Sequence, residues 1–176
     1  MSDGQRWVYV VVSAAPPVLH IDEFIGTLQE RDWQVCLIAT PAAASWIDVD
    51  AIAEATGCLT RVTTRAPGQQ DSLPTADVVV AAPLTFNSIN KWAAGFSDSV
   101  ALGVLNELLS TDVPIIAVPC VKMVLRKHPA YDESLARLVA AGVTLVDPDV
   151  VTVRGDDGLA AFRWSEIVAA LDSLED

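Results

Sequence analysis

The chain lacks the motifs of the commonest nucleotide cradles. No G-x-G-x-x-G follows its first hydrophobic run, and no G-x-x-x-x-G-K-[ST] occurs anywhere, which argues against a nicotinamide dehydrogenase or a P-loop enzyme. Histidine is limited to His20 and His128. The three cysteines, Cys36, Cys58 and Cys120, stand at unrelated spacings without a CxxC pair, so no metal site is expected. Basic residues are scarce: 11 Lys and Arg stand against 23 Asp and Glu, for a formal net charge of -12. Nucleic acid and anionic membrane surfaces both need a basic face, so neither is an expected partner. No apolar run reaches the length of a membrane span, and the opening MSDGQRW lacks the layout of a signal peptide. The sequence is therefore read as cytoplasmic.

Apolar residues are plentiful. Hydrophobic residues make up 52% of the 176, which is high for a soluble monomer and points to surface covered by partner subunits. The length fits one domain, residues 1–176, with a single sizeable core. The only long loop candidate is RAPGQQDSLPT, Arg65 to Thr75.

Hydrophobic runs alternate with helical patterns along the chain. Trp7–Ser13 reads as a buried strand, followed by a turn through Ala14, Ala15, Pro16 and Pro17. Ile21, Phe24, Ile25 and Leu28 then share one helix face. Gln34–Ala39 is a second strand, and Thr40-Pro41 is a strong helix start, because the hydroxyl caps while proline tolerates the first turn. Asp50 is expected to cap a short helix, 51–56, that Gly57 stops. Further strands are expected at Cys58–Thr63, Asp77–Ala82, Val113–Val118 and from Thr144 to Val146. Helices are expected over Thr85–Ala94, over Ser97–Leu109 (apolar nearly all round), from Pro129 with Leu135, Leu138 and Val139 inward, and over Ser165–Leu174. Strands alternating with helices define an α/β fold, a three-layer doubly wound parallel sheet.

In such sheets ligands bind where strands exit into helices. Small hydroxyl residues stand at three of these exits: Ser13, Thr40, and the set Thr85, Ser88 and Ser97. Converging hydroxyls and amides can hold a phosphate without lysine, although each is also what an ordinary helix cap requires.

The order of motifs adds a resemblance. APLTFNSINK, Ala82 to Lys91, followed by GFSDS, Gly95 to Ser99, resembles the signature of the flavin-containing cysteine decarboxylase family, Pro-Ala-Ser/Thr-Ala-Asn-Thr-Ile-x-Lys and then Gly-x-x-Asp-Asp/Asn. TPAAASWI, Thr40 to Ile47, and AGVTLVDP, Ala141 to Pro148, are similar to further family segments. The resemblance implies a Rossmann-like flavoprotein fold and FMN as cofactor. The first loop, Ser13, Ala14 and Ala15, would meet the phosphate together with Thr40. Pro83, Thr85, Asn87 and Ser88, with Ser97, Asp98 and Ser99, would line the flavin and the adjoining subunit. It also implies a homotrimer or a higher assembly such as a dodecamer, possible mixing with a homologue, and a small-molecule or peptide carboxylate as substrate.

The same comparison exposes departures. The family's catalytic histidine aligns near Gln69, which cannot act as a base near neutral pH. The family's carboxylate-gripping asparagine is Lys122 within PCVKMVLR, Pro119 to Arg126, and its first-loop serine is Ala15. Asn87 and Lys122 are the residues carried forward as catalytic candidates. Lys122, Arg126 and Lys127 could concentrate positive charge beside the flavin. Cys120 reads as packing rather than as an activated thiolate, and Trp92 as core or subunit contact. Two functions follow: a flavoenzyme with altered decarboxylase chemistry, or a non-catalytic FMN-binding partner of an active homologue.

Overall fold

Strands that are apolar on both faces need cover on both sides, and the molecule supplies it with helices. The computed structural model describes residues 4–64, 66–69 and 72–176. Its main sheet contains β1 (Arg6–Val12), β2 (Trp33–Ala39), β3 (Leu59–Arg61), β4 (Val78–Leu84), β5 (Ile115–Pro119) and β6 (Thr144–Leu145). They run in the order β3-β2-β1-β4-β5-β6, with every neighbouring pair parallel. The chain winds outward in one direction from β1 and then crosses back to β4, so the topological switch point lies between β1 and β4.

A 3-10 turn, Pro16–His20, leads into α1 (Ile21–Glu30); α2 (Pro41–Trp46) and α3 (Val49–Thr56) follow β2. Beyond β4 come α4 (Phe86–Ala93) and α5 (Val100–Leu109), and beyond β5 come α6 (Met123–Arg126) and α7 (Pro129–Ala140). The C-terminal part contains α8 (Pro148–Val151), the antiparallel hairpin β7 (Thr152–Arg154) and β8 (Ala160–Phe162), and α9 (Trp164–Asp172).

Alternation along the strands sorts the core into two layers. Val8, Val10 and Val12 meet Phe24, Ile25 and Leu28 of α1 and Ile167 of α9 on one face. Tyr9 and Val11 meet Ile89 and Trp92 of α4, Leu105 of α5 and Leu138 of α7 on the other. Each fully buried large side chain stabilises the fold by roughly 1.5–3 kcal/mol relative to exposure.

The structure corrects several expectations. Asp48, not Asp50, caps α3, because its Oδ1 accepts from Ala51 N at 3.0 Å. Gly57 ends that helix in the left-handed region at φ 72°. The third and sixth strands shrink to three and two residues. The fourth extends past Ala82 to Leu84, where the register against β5 shifts. The expected helices over Thr85–Ala94 and Ser97–Leu109 begin one and three residues later, with Thr85 and Ser99 as their caps. On α5 only Ala101, Leu102 and Leu105 are buried, so it is not enclosed all round within this chain. Val139 is 48% exposed rather than inward: Leu138 already fills the seam of α7, and the next residue turns about 100° away. Of the long loop, Arg65, Gln70 and Asp71 lie outside the described residues. The hairpin β7–β8 had no counterpart in the sequence reading.

Candidate functional site

The carboxyl ends of β1, β2, β4 and β5 open on one side of the sheet, and backbone bonds beyond the strands tie their turns together. Thr40 N donates to Val12 O at 3.0 Å, Ser13 N to Pro83 O at 3.0 Å, and Cys120 N to Leu84 O at 2.8 Å. These bonds hold Ser13, Thr40, Thr85 and Cys120 at the head of the sheet around the switch point, where open α/β folds bind ligands.

Two polar side chains are buried among the described residues, Ser13 and Ser88, at 2% and 7% exposure. They meet at that point. Ser13 Oγ donates to Ser88 Oγ at 3.0 Å and Thr85 Oγ1 to the same oxygen at 3.1 Å. Thr85 Oγ1 in turn accepts from Ser88 N at 3.1 Å, closing the first turn of α4. Because Ser88 Oγ accepts twice, its own hydrogen is left to donate. Thr40 follows the same logic: its Oγ1 accepts from Ala43 N at 3.1 Å, so its hydrogen is also unspent. Capping and ligand binding therefore do not compete at these positions.

These hydroxyls surround a 440 Å³ cavity that Ala14, Asn87, Asp98 and Ser99 also line. Its one cation, Lys91, is neutralised by Asp98, with Nζ 2.6 Å from Oδ2. The cavity is therefore an array of neutral donors in a near-neutral field. Ser99 Oγ caps α5 by accepting from Leu102 N at 3.2 Å.

A 760 Å³ cavity adjoins it, and Ala14, Thr85 and Asn87 line both. Its walls are mostly apolar, with Ala15, Phe86 and Met123 among them, and it contains Lys122, Arg126 and Arg154. Arg126 is committed to the fold: Nη1 donates to Asp149 Oδ1 at 2.8 Å and Nε to Val121 O at 3.1 Å. Lys127 does not line the cavity, so the expected cluster of three neighbouring cations is reduced to Lys122 with a partly neutralised Arg126. Burial pushes the Cys120 thiol up, with Arg126 opposing more weakly, so Cys120 is a neutral packing thiol at this wall. Trp92 is 1% exposed and belongs to the core.

Of the residues expected to bind, Pro83 is buried in β4 and contributes its carbonyl to Ser13 N rather than a wall. Ser97 is exposed outside both cavities, and its hydroxyl accepts from Asn106 Nδ2 at 2.9 Å. Gln69 is exposed and lines neither cavity. Neither histidine enters: His20 is exposed beside Glu23, and His128 caps α7, its Nδ1 accepting from Ala130 N at 3.0 Å. Among the described residues no cluster of His, Cys, Asp and Glu could hold a metal ion, and no helix is long and apolar enough to cross a membrane. Sequence reasoning missed Arg154. Its signal was a single arginine in TVRG before the GDDG turn, visible only once the hairpin brings it back over the site.

A doubly wound parallel sheet with a hydroxyl-lined seat at its switch point is the frame of a nucleotide-type cofactor protein, and the chain belongs to the Flavoprotein family, whose model matches residues 1–174. Its fold is that of a PPC decarboxylase mutant complexed with pantothenoylaminoethenethiol, with a TM-score of 0.78 and 18% identity, covering 97% of this chain and 98% of that one. It is also similar in fold to the FMN-dependent cysteine decarboxylase TvaF from thioviridamide biosynthesis, with a TM-score of 0.77 and 17% identity over 98% and 100% of the two chains. A cysteine/cysteine sulfinic acid decarboxylase of an unknown prokaryotic organism is 32% identical over 73 residues, 42% of this chain and 20% of the relative. The match thus spans about a fifth of that protein's length.

Proposed function

We propose that the protein binds FMN, with the phosphate in the 440 Å³ cavity and the ring reaching into the 760 Å³ one, and acts on a small carboxylate or a peptide C-terminus. The observation that carries the cofactor reading is the buried Ser13–Ser88–Thr85 hydroxyl cluster at the switch point. Buried polar side chains are retained where they are paired, and this group still has hydroxyl hydrogen to give. Ser88 and Thr40 donate to phosphate oxygens in this reading, and the cavity volumes fall within the range of about 300–1,000 Å³ usual for cofactor sites. The family membership and the FMN-dependent protein of the same fold support it.

Bound FMN supplies reversible two-electron redox chemistry. Lys122 attracts and orients the substrate carboxylate, Asn87 sits where the two cavities meet and positions the reacting group, and Phe86 and Met123 restrict water. Phe96, 56% exposed on the turn before α5, supports a contact with further copies of the chain, and a homotrimer is the assembly we assign. One observation favours a second reading, that of a non-catalytic FMN-binding partner of an active homologue: no histidine lines either cavity, and Cys120 is neutral.

The purified protein should be yellow, and mass spectrometry of the released pigment should identify FMN. A colourless protein that ignores added FMN would refute the proposal. Incubation with cysteine-ended peptides and small thiol acids separates the two readings. Loss of the mass of carbon dioxide that Asn87→Ala abolishes supports the enzyme; unchanged acids with retained FMN support the partner.

A further inference from the structure

The charged residues around the 760 Å³ cavity run against the composition of the chain. Acidic residues outnumber basic ones 23 to 11 overall, yet among the described residues Lys122, Arg126 and Arg154 line this cavity and no Asp or Glu does. Asp149 offsets Arg126 from outside the lining, which leaves Lys122 and Arg154, among the described residues, as the lining cations without an ion pair.

The hairpin explains how Arg154 comes to be there. Thr152 and Arg154 are two residues apart on β7 and so face the same side, and Arg154 pairs across the ladder with Ala160. All three line the cavity. The small alanine opposite gives the guanidinium room. Phe162 anchors the base of the hairpin: it is buried and packs edge-on against Trp164, which stacks on Phe24 of α1. Arg154 Nη1 donates to Gly158 O at 2.7 Å across the turn, and the other N–H groups of the guanidinium are left to bind a ligand. The hairpin's own acids, Asp156 and Asp157, line a separate hollow with His20 and Glu23. The turn therefore sends its carboxylates one way and its arginine the other.

We propose that this cavity selects a compact acid with two anionic groups, one held by Lys122 and the second by Arg154, and that Arg154 is the residue that sets this specificity. The inference deepens the reading above and rests on it for the reaction, though not for binding. A guanidinium matches a planar carboxylate or a sulfur oxyanion through paired N–H donors, whereas a neutral peptide terminus offers it nothing of opposite charge.

Calorimetric titration of the FMN-loaded protein with succinate, malonate and sulfoacetate, against propionate and acetate at one ionic strength, tests this. The wild type should bind at least one dianion more than about tenfold tighter than the monoanions, the scale of one additional charge-assisted contact. Arg154→Gln should abolish the preference while leaving the monoanions within about twofold. Arg154→Lys should keep part of it, which separates loss of charge from a loosened hairpin, and Lys127→Gln should change nothing. Equal binding of mono- and dianions by the wild type would overturn the proposal, as would equal weakening of both by Arg154→Gln, or a loss in Lys127→Gln as large as that in Arg154→Gln. Visible absorbance scores FMN in the same samples. A colourless protein that still prefers dianions fails the cofactor reading alone, and a yellow one without preference fails this one alone.

Discussion

Removing one oxygen, in Ser88→Ala, tests the hydroxyl cluster directly. In the wild type Ser88 Oγ is the shared acceptor of Ser13 Oγ at 3.0 Å and Thr85 Oγ1 at 3.1 Å. Without it the Ser13 hydroxyl, 2% exposed, loses its acceptor at the edge of the 440 Å³ cavity, where water replaces that acceptor only in part. A stranded buried donor costs about 1–3 kcal/mol. Thr85 is half-buried and can turn toward the cavity, so the loss should lie near the lower end, about 1–2 kcal/mol. At about 2–4 °C per kcal/mol for a chain of this size, the apo protein should melt about 2–8 °C lower. The FMN effect should be larger, because a hydrogen bond to a charged phosphate is worth about 1.5–3 kcal/mol, or about 10- to 150-fold in Kd. Fluorescence quenching of titrated FMN reads the second quantity and thermal melting the first. Ser97→Ala is the matched control, since that hydroxyl lies outside both cavities. FMN binding by Ser88→Ala within about twofold of wild type, with an unchanged melting point, would refute the hydroxyl accounting.

Other outcomes follow from burial. Cys120 should alkylate slowly at pH 8, because burial holds it as the thiol, and peptide mapping after iodoacetamide should show labelling that rises as the pH is raised further. Burial pushes the Cys36 thiol up from 9.0 to about 12. Between those values the unfolded chain binds fewer protons than the folded one, so stability falls as pH rises, by at most about 1.4 kcal/mol per pH unit. Melting curves from pH 8 to pH 10 should show the decline, and Cys36→Ala should make it shallower, the remainder coming from Cys58 and Cys120, whose thiols burial also pushes up. Leu105→Ala should cost about 2–5 kcal/mol in chemical denaturation, while Val139→Ala, on an exposed surface, should stay within about 0.5 kcal/mol.

Much of the frame was legible because its causes are local. VYVVV and VVVAA have no polar alternation, so they had to be inner strands of a covered parallel sheet, and Thr40-Pro41 carries its cap and first-turn proline side by side. Short edges were harder to read. Leu59–Arg61 and Thr144–Leu145 are too brief for a period to show, and the Asp48–Asp50 pair offers two capping carboxylates of which only backbone geometry selects one. The residues that line the 440 Å³ cavity were largely legible because they sit next to strand exits. Ser97 was misplaced because adjacency to Asp98 in sequence does not put two side chains on the same side of a turn. Arg154 was invisible for a tertiary reason: three-residue strands separated by GDDGL give no alternation, and only the anchor at Phe162 swings that segment over the site.

Two different frames carry the two halves of the site. The 440 Å³ cavity hangs from the main ladder, where Ser13 and Thr40 are fastened to neighbouring strands. The opposite wall is borne by a small ribbon and a one-turn helix outside that ladder. On the proposed reading, grafting a foreign ribbon in place of residues 152–161, with the Phe162 anchor kept, should therefore change which acids bind without loss of FMN, which makes this segment the natural cassette for redesign.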